Sequence, residues 1–268
     1  MDLLHLVTPR ADTLLSHVRG AQHGDARDTH QARVAARRLA EALALTGQAG
    51  KRLDRDVRDL RRALGATREL DVSRMVFDYA ALEHRWSTDA VRRVRRYLDE
   101  KRAKRLDKVA GTLANVSVSR LRRRIRDIGD YAADYPAAKL APRLRARVTK
   151  RERDLKDAIK RAGAIYDIDK LHDVRIAVKK LRYTLELAQD GLGRRWSKRI
   201  ETLKLQQSVL GHLHDLQVLV RHIRTLEGGL VSHRGPVGEA LAVIRRDLDT
   251  ESRRLHGAWL KHAKTKGM

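Results

Sequence analysis

Apolar residues recur at three- and four-residue steps along almost the whole chain, in segments rich in Ala, Leu, Arg, Asp and Lys. That period gathers them on one side of a helix, so the pattern predicts an all-α protein. Four prolines and seventeen glycines punctuate it, and breaks are expected at Gly20 to Gly24, Gly47 to Gly50, Gly111, Pro136, Pro142, Gly163, Gly191 to Gly193 and the Gly228 to Pro236 stretch. Helices of roughly fifteen to twenty-five residues follow, joined by turns short enough to impose antiparallel bundles.

Comparing the chain with itself uncovers a repeat. His30-Gln-Ala-Arg33-Val-Ala-Ala-Arg37-Arg38-Leu39 aligns with His172-Asp-Val-Arg175-Ile-Ala-Val-Lys179-Lys180-Leu181, at an offset of 142 residues. Leu64-Gly65-Ala-Thr-Arg68-Glu69-Leu70-Asp-Val72 aligns with Leu210-Gly211-His-Leu-His214-Asp215-Leu216-Gln-Val218 at 146, and Arg95-Arg96-Tyr-Leu98-Asp99 with Arg245-Arg246-Asp-Leu248-Asp249 at 150. The matches keep their order while the offset grows, as a duplicated unit gaining residues in its turns would do. The boundary is placed near Pro136, giving one helical bundle over residues 1–134 and a second over 135–268; an Arg-rich helix around Leu121 to Ile128 has no counterpart and is read as a connector.

At 100° per residue, His30, Arg33 and Arg37 lie within roughly 60° of one another, with Ala32, Ala36, Leu39 and Leu43 opposite. His172, Arg175, Lys179 and Arg182 repeat the stripe, backed by Val174, Val178, Leu181 and Leu185. Val34 and Ile176 sit at the stripe's edge, which points to a partly enclosed groove. The second motif adds Arg58, Arg61, Gly65 and Arg68, matched by Lys204, Gln207, Gly211 and His214. A glycine inside a helix costs about 1 kcal/mol relative to alanine, so its recurrence predicts close approach of a helix or ligand to the backbone there. The alternative is that each Leu-Gly pair ends a helix.

Charge turns these stripes into a candidate site. The chain carries 59 Lys and Arg against 34 Asp and Glu, a formal charge of +25 that an anionic partner would relieve. Guanidinium forks match pairs of phosphate oxygens, while Lys and protonated His supply compact charge. Exposed ion pairs contribute only about 0.2 to 1 kcal/mol each, so affinity requires many cations in one groove. A long phosphate polymer fits that requirement. The absence of cysteine rules out disulfides and thiolate zinc sites, and fits a reducing compartment. Neither a leader-like start nor an uncharged run of membrane-spanning length is present, so a cytoplasmic protein without a membrane partner is expected.

Two other classes compete with this reading. His172-Asp173 and His214-Asp215 resemble paired ligands of a metal-dependent phosphohydrolase, but the first copy has His30-Gln31 and Arg68-Glu69 instead; no metal, cofactor or catalytic residue is expected. Single-stranded nucleic acid needs aromatic platforms, and the chain has 4% aromatics and one phenylalanine, Phe77. Duplex binding through phosphates alone stays open, notably for residues 101–150, with fifteen Lys and Arg against four Asp and Glu.

At His30, Arg33, Arg37, Arg38 and Leu64 to Val72, and again at His172, Arg175, Lys179, Lys180, Leu181-Arg182-Tyr183 and Leu210 to Val218, the sequence resembles the CHAD family over nearly its whole length. The resemblance implies two four-helix bundles related by a pseudo-twofold axis. It further implies a basic groove that binds inorganic polyphosphate, binding without turnover, and association with polyphosphate granules. The Glu-x-Glu-x-Lys mark of the CYTH domain fused to some relatives does not occur. Departures fall at Ala40 against Arg182, and at Gln207 and His214 against Arg61 and Arg68.

Overall fold

A computed structural model describes residues 2–65, 68–114, 116–193, 195–230 and 235–265, and every regular element among them is an α-helix. They run α1 (Leu3–Gln22), α2 (Ala26–Leu43), α3 (Lys51–Gly65), α4 (Arg68–Glu83), α5 (Thr88–Ala114), α6 (Val118–Ala133), α7 (Ala137–Ala162), α8 (Ile168–Leu192), α9 (Ser197–Gly228) and α10 (Pro236–Thr265). Side-chain caps start several of them. Asp2 accepts from the His5 amide at 2.8 Å, Asp25 from Asp28 at 2.6 Å and Ser117 from Arg120 at 3.2 Å, each satisfying an amide that the first turn leaves open. Gly24, Gly47, Gly163 and Gly193 take positive φ in the turns, where a side chain would be strained.

Some expected breaks do not occur. Gly111 lies inside α5, and Pro142 lies in the second turn of α7, where it forfeits one early hydrogen bond without ending the helix. No helix makes the close approach expected at Gly65 and Gly211: among the described residues nothing comes within 4 Å of where a Cβ would stand at either. The tight positions are elsewhere. A Cβ at Gly191 would meet Leu144 Cδ1 at 2.6 Å and Leu6 Cδ1 at 3.2 Å, so α8 ends pressed against α1 and α7.

The chain divides into two compact units, each built from segments on both sides of residue 135: residues 1–66, 107–157 and 177–204 in the first, and 67–106, 158–176 and 205–268 in the second. The sequence repeat and this spatial grouping are therefore different partitions of the chain. In the first unit α1 packs on α2 and α6, and α3 packs on the same two, so the helix read as a connector completes a ring of four. Its core comes from the apolar stripes: Leu3, Leu6, Val7, Leu14 and Val18 on α1, Ala32, Ala36, Leu39 and Leu43 on α2, Leu53, Val57, Leu60 and Leu64 on α3, and Leu121 and Ile128 on α6 are all buried. A nearly buried carboxylate ties this unit further, because Glu41 on α2 accepts from Arg147 on α7 at 2.6 Å, with Arg151 at 3.7 Å.

The second unit has its own core, from Leu70, Val76 and Phe77 on α4, Val94 and Leu98 on α5, Leu216, Leu219, Val220 and Ile223 on α9, and Leu241, Ile244 and Leu248 on α10. Phe77 is fully buried and stacks on Trp86 with ring centroids 5.6 Å apart, so the sole phenylalanine serves packing. Among the described residues no helix is long and apolar enough to cross a membrane.

Candidate functional site

The face of α2 opposite its alanine and leucine stripe carries Arg33 and Arg37, and the outer face of α3 carries Arg58, Arg61 and Arg62. Because α2 and α3 pack side by side, these five side chains line one pocket of about 320 Å³. Four of the five were read from sequence. Arg62 was missed, although its place four residues after Arg58 puts it on the same side of the helix.

Two carboxylates stand at the rim. Arg58 bonds Asp54 at 2.6 Å and Arg62 bonds Asp59 at 3.1 Å, both exposed pairs within α3. Arg61 is half-buried, and burial, followed by the positive charge of Arg37, lowers its pKa from the ordinary arginine value, against the opposing pull of Asp54. Cations crowd here in the way an anion-binding pocket requires.

The other predicted residues fall into separate groups. Arg38, about 100° round α2 from Arg37, lies outside that pocket and bonds Glu186 at 3.3 Å; Arg182 bonds the second oxygen of the same carboxylate at 2.6 Å. Arg182 is only 9% exposed and lies over the Tyr183 ring at 4.2 Å, a packed position fixed by local contacts. A neighbouring cavity of about 350 Å³ is lined by Arg10, Arg38, Glu186 and Asp190 among others, and its cations are matched by carboxylates.

His172 on α8 and His214 on α9 face each other in the second unit with ring centroids 4.9 Å apart. Both are half-buried, as are Arg175, Lys179 and Gln207, while His30, Arg68, Lys180 and Lys204 are exposed. Among the described residues no group of three or more His, Cys, Asp or Glu is placed to hold a metal ion. The two copies of the second motif differ in shape. Arg58, Arg61 and Gly65 lie on α3, which ends at Gly65, and Arg68 opens α4; Ala66 and Thr67 lie outside the described residues. Lys204, Gln207, Gly211 and His214 stay on the single helix α9. The matching positions thus fall on two helices in the first copy and on one in the second.

The CHAD domain family model matches residues 5–224. Two solved structures resemble the whole fold. The CHAD domain from the plant Ricinus communis has a TM-score of 0.60 at 24% identity, covering 95% of this chain and 88% of that one. PptA from Streptomyces chartreusis has a TM-score of 0.73 at 17% identity, covering 97% and 96%. A comparison with curated proteins gave no match.

Proposed function

We propose that this chain, which belongs to the CHAD domain family, binds inorganic polyphosphate, with the α2–α3 arginine pocket as its principal grip and without turning the polymer over. The observation that carries the reading is the composition of that pocket: all five lining residues are arginines, and Arg61 is crowded by burial and by Arg37. Guanidinium forks in a partly desolvated pocket suit paired phosphate oxygens, and no aromatic side chain lines the pocket to stack a base. Five charge-assisted contacts at about 1.5 kcal/mol each sum to roughly the 8 kcal/mol of micromolar binding, before association costs are subtracted. Further cations must therefore contribute, and affinity should rise with chain length. The proposal includes a cytoplasmic location at polyphosphate granules.

The test is a competition titration at physiological ionic strength, in which unlabelled duplex DNA is added against labelled long-chain polyphosphate. Duplex DNA presents backbone phosphates at fixed helical spacing, whereas polyphosphate bends into a pocket. Displacement only at large excess of DNA supports the reading, and displacement at equal phosphate concentration favours a general duplex-backbone binder.

A further inference from the structure

The α2–α3 pocket, of about 320 Å³ and open to solvent on one side, has room for more than one phosphate and admits a short run of a polymer whose ends continue outside it. Five guanidinium groups line it, with Arg58 and Arg62 also bonded to Asp54 and Asp59, and that cationic count is near the charge of a linear run of about three phosphoryl groups and well above that of a single phosphate. Its walls converge from two helices, with Arg33 and Arg37 on α2 facing Arg58, Arg61 and Arg62 on α3. Five guanidinium groups around such a volume can meet consecutive phosphoryl groups from both sides, which a single flat stripe of cations cannot do.

We infer that the α2–α3 pocket is an oligophosphate anchor that takes a linear run of about three phosphoryl groups as a unit, so that a short, soluble triphosphate occupies it without the rest of a polymer. The inference rests on the polyphosphate reading and adds a ligand size and class to it. The recognised chemistry is the linear triphosphate itself, which occurs free as tripolyphosphate and also on nucleotides. With only arginine in the walls, the nucleoside should add little. Long chains then bind more tightly because a tethered neighbour run is always at hand and because other cations engage, which raises effective concentration without changing the anchor.

The experiment is isothermal titration of the full chain at fixed ionic strength with orthophosphate, tripolyphosphate, ATP and long-chain polyphosphate, repeated on the R37Q/R61Q variant. An R33Q/R58Q variant serves as the second readout if the first loses helix content by circular dichroism. Tripolyphosphate is expected to bind at least about tenfold more tightly than orthophosphate, ATP to fall close to tripolyphosphate, and the preference to vanish in the variant. Tripolyphosphate no tighter than orthophosphate, with long-chain binding intact and still sensitive to R37Q/R61Q, overturns the anchor and leaves the broader reading standing. ATP binding much more tightly than tripolyphosphate overturns the inorganic ligand class. Long-chain binding indifferent to both variants overturns the anchor and the polyphosphate site together.

Discussion

Arg61 of α3 and Arg37 of α2 line one arginine-walled pocket, and burial together with that like charge disfavours the charged form of Arg61. The folded protein bears this cost whenever the pocket is empty. Replacing Arg61 by Gln should therefore stabilise the ligand-free protein, by about 0.5–2 kcal/mol as surface-charge relief commonly does, while weakening polyphosphate binding. Urea midpoints and binding isotherms on the same variant measure the two opposed effects; a destabilised variant would contradict the crowding.

Arg38 and Arg182 share the Glu186 carboxylate but should differ sharply in worth. Arg38 is half in solvent, so Arg38→Ala should change stability by about 1 kcal/mol or less. Arg182 is almost enclosed, and Arg182→Ala leaves Glu186, itself 18% exposed, with its shorter ion pair gone; a loss of about 3 kcal/mol or more is expected. Denaturant midpoints of the two variants decide it.

Acid should loosen the second unit. His256 on α10 is 5% exposed, packed between Tyr166 at 5.3 Å and Trp259 at 6.1 Å, and its Nε2 has no hydrogen-bond partner among the described residues. Burial lowers its pKa, and His222 on α9 is lowered in the same sense by burial and then by Lys101. In the unfolded chain these imidazoles take up protons near pH 6.5, whereas in the folded chain they resist. The unfolded state thus binds more protons below that pH, and stability present above it is lost as pH falls. The urea midpoint should drop between pH 7.5 and 5.5, above the carboxylate range, and His256→Gln should flatten the drop.

The facing imidazoles of His172 and His214 lie 4.9 Å apart without a third acidic or sulfur ligand grouped with them among the described residues. The proposed binding without turnover predicts that incubation of polyphosphate with the protein and Mg²⁺ or Mn²⁺ releases no orthophosphate above background. Release that His172→Ala abolishes would replace binding by hydrolysis.

Much of this was legible from local pattern. The apolar period located the helices, and the basic stripes on α2 and α3 named Arg33, Arg37, Arg58 and Arg61, because a helix face is set within two turns of sequence. What the pattern missed depends on distant partners. Arg38 stands about 100° round α2 from Arg37, which the helix period gives, but its partner Glu186, 148 residues away, is encoded by no spacing on α2. Gly65 and Gly211 occupy matching sequence positions, yet one ends α3 and the other sits within the 32-residue α9. A shared glycine left both outcomes open. The compact units interleave segments from both repeats, as chain contacts dictate and sequence similarity alone does not.

The most direct test of the account is a long-chain polyphosphate titration of the parent protein and of a variant with Arg33, Arg37, Arg58 and Arg61 all changed to Gln, at about 0.15 M salt with helix content checked on both. Four lost contacts at about 1.5 kcal/mol each, roughly 6 kcal/mol in all, predict a fall in affinity on the order of ten-thousandfold. A correctly folded variant that binds as tightly as the parent would contradict the assignment of the pocket.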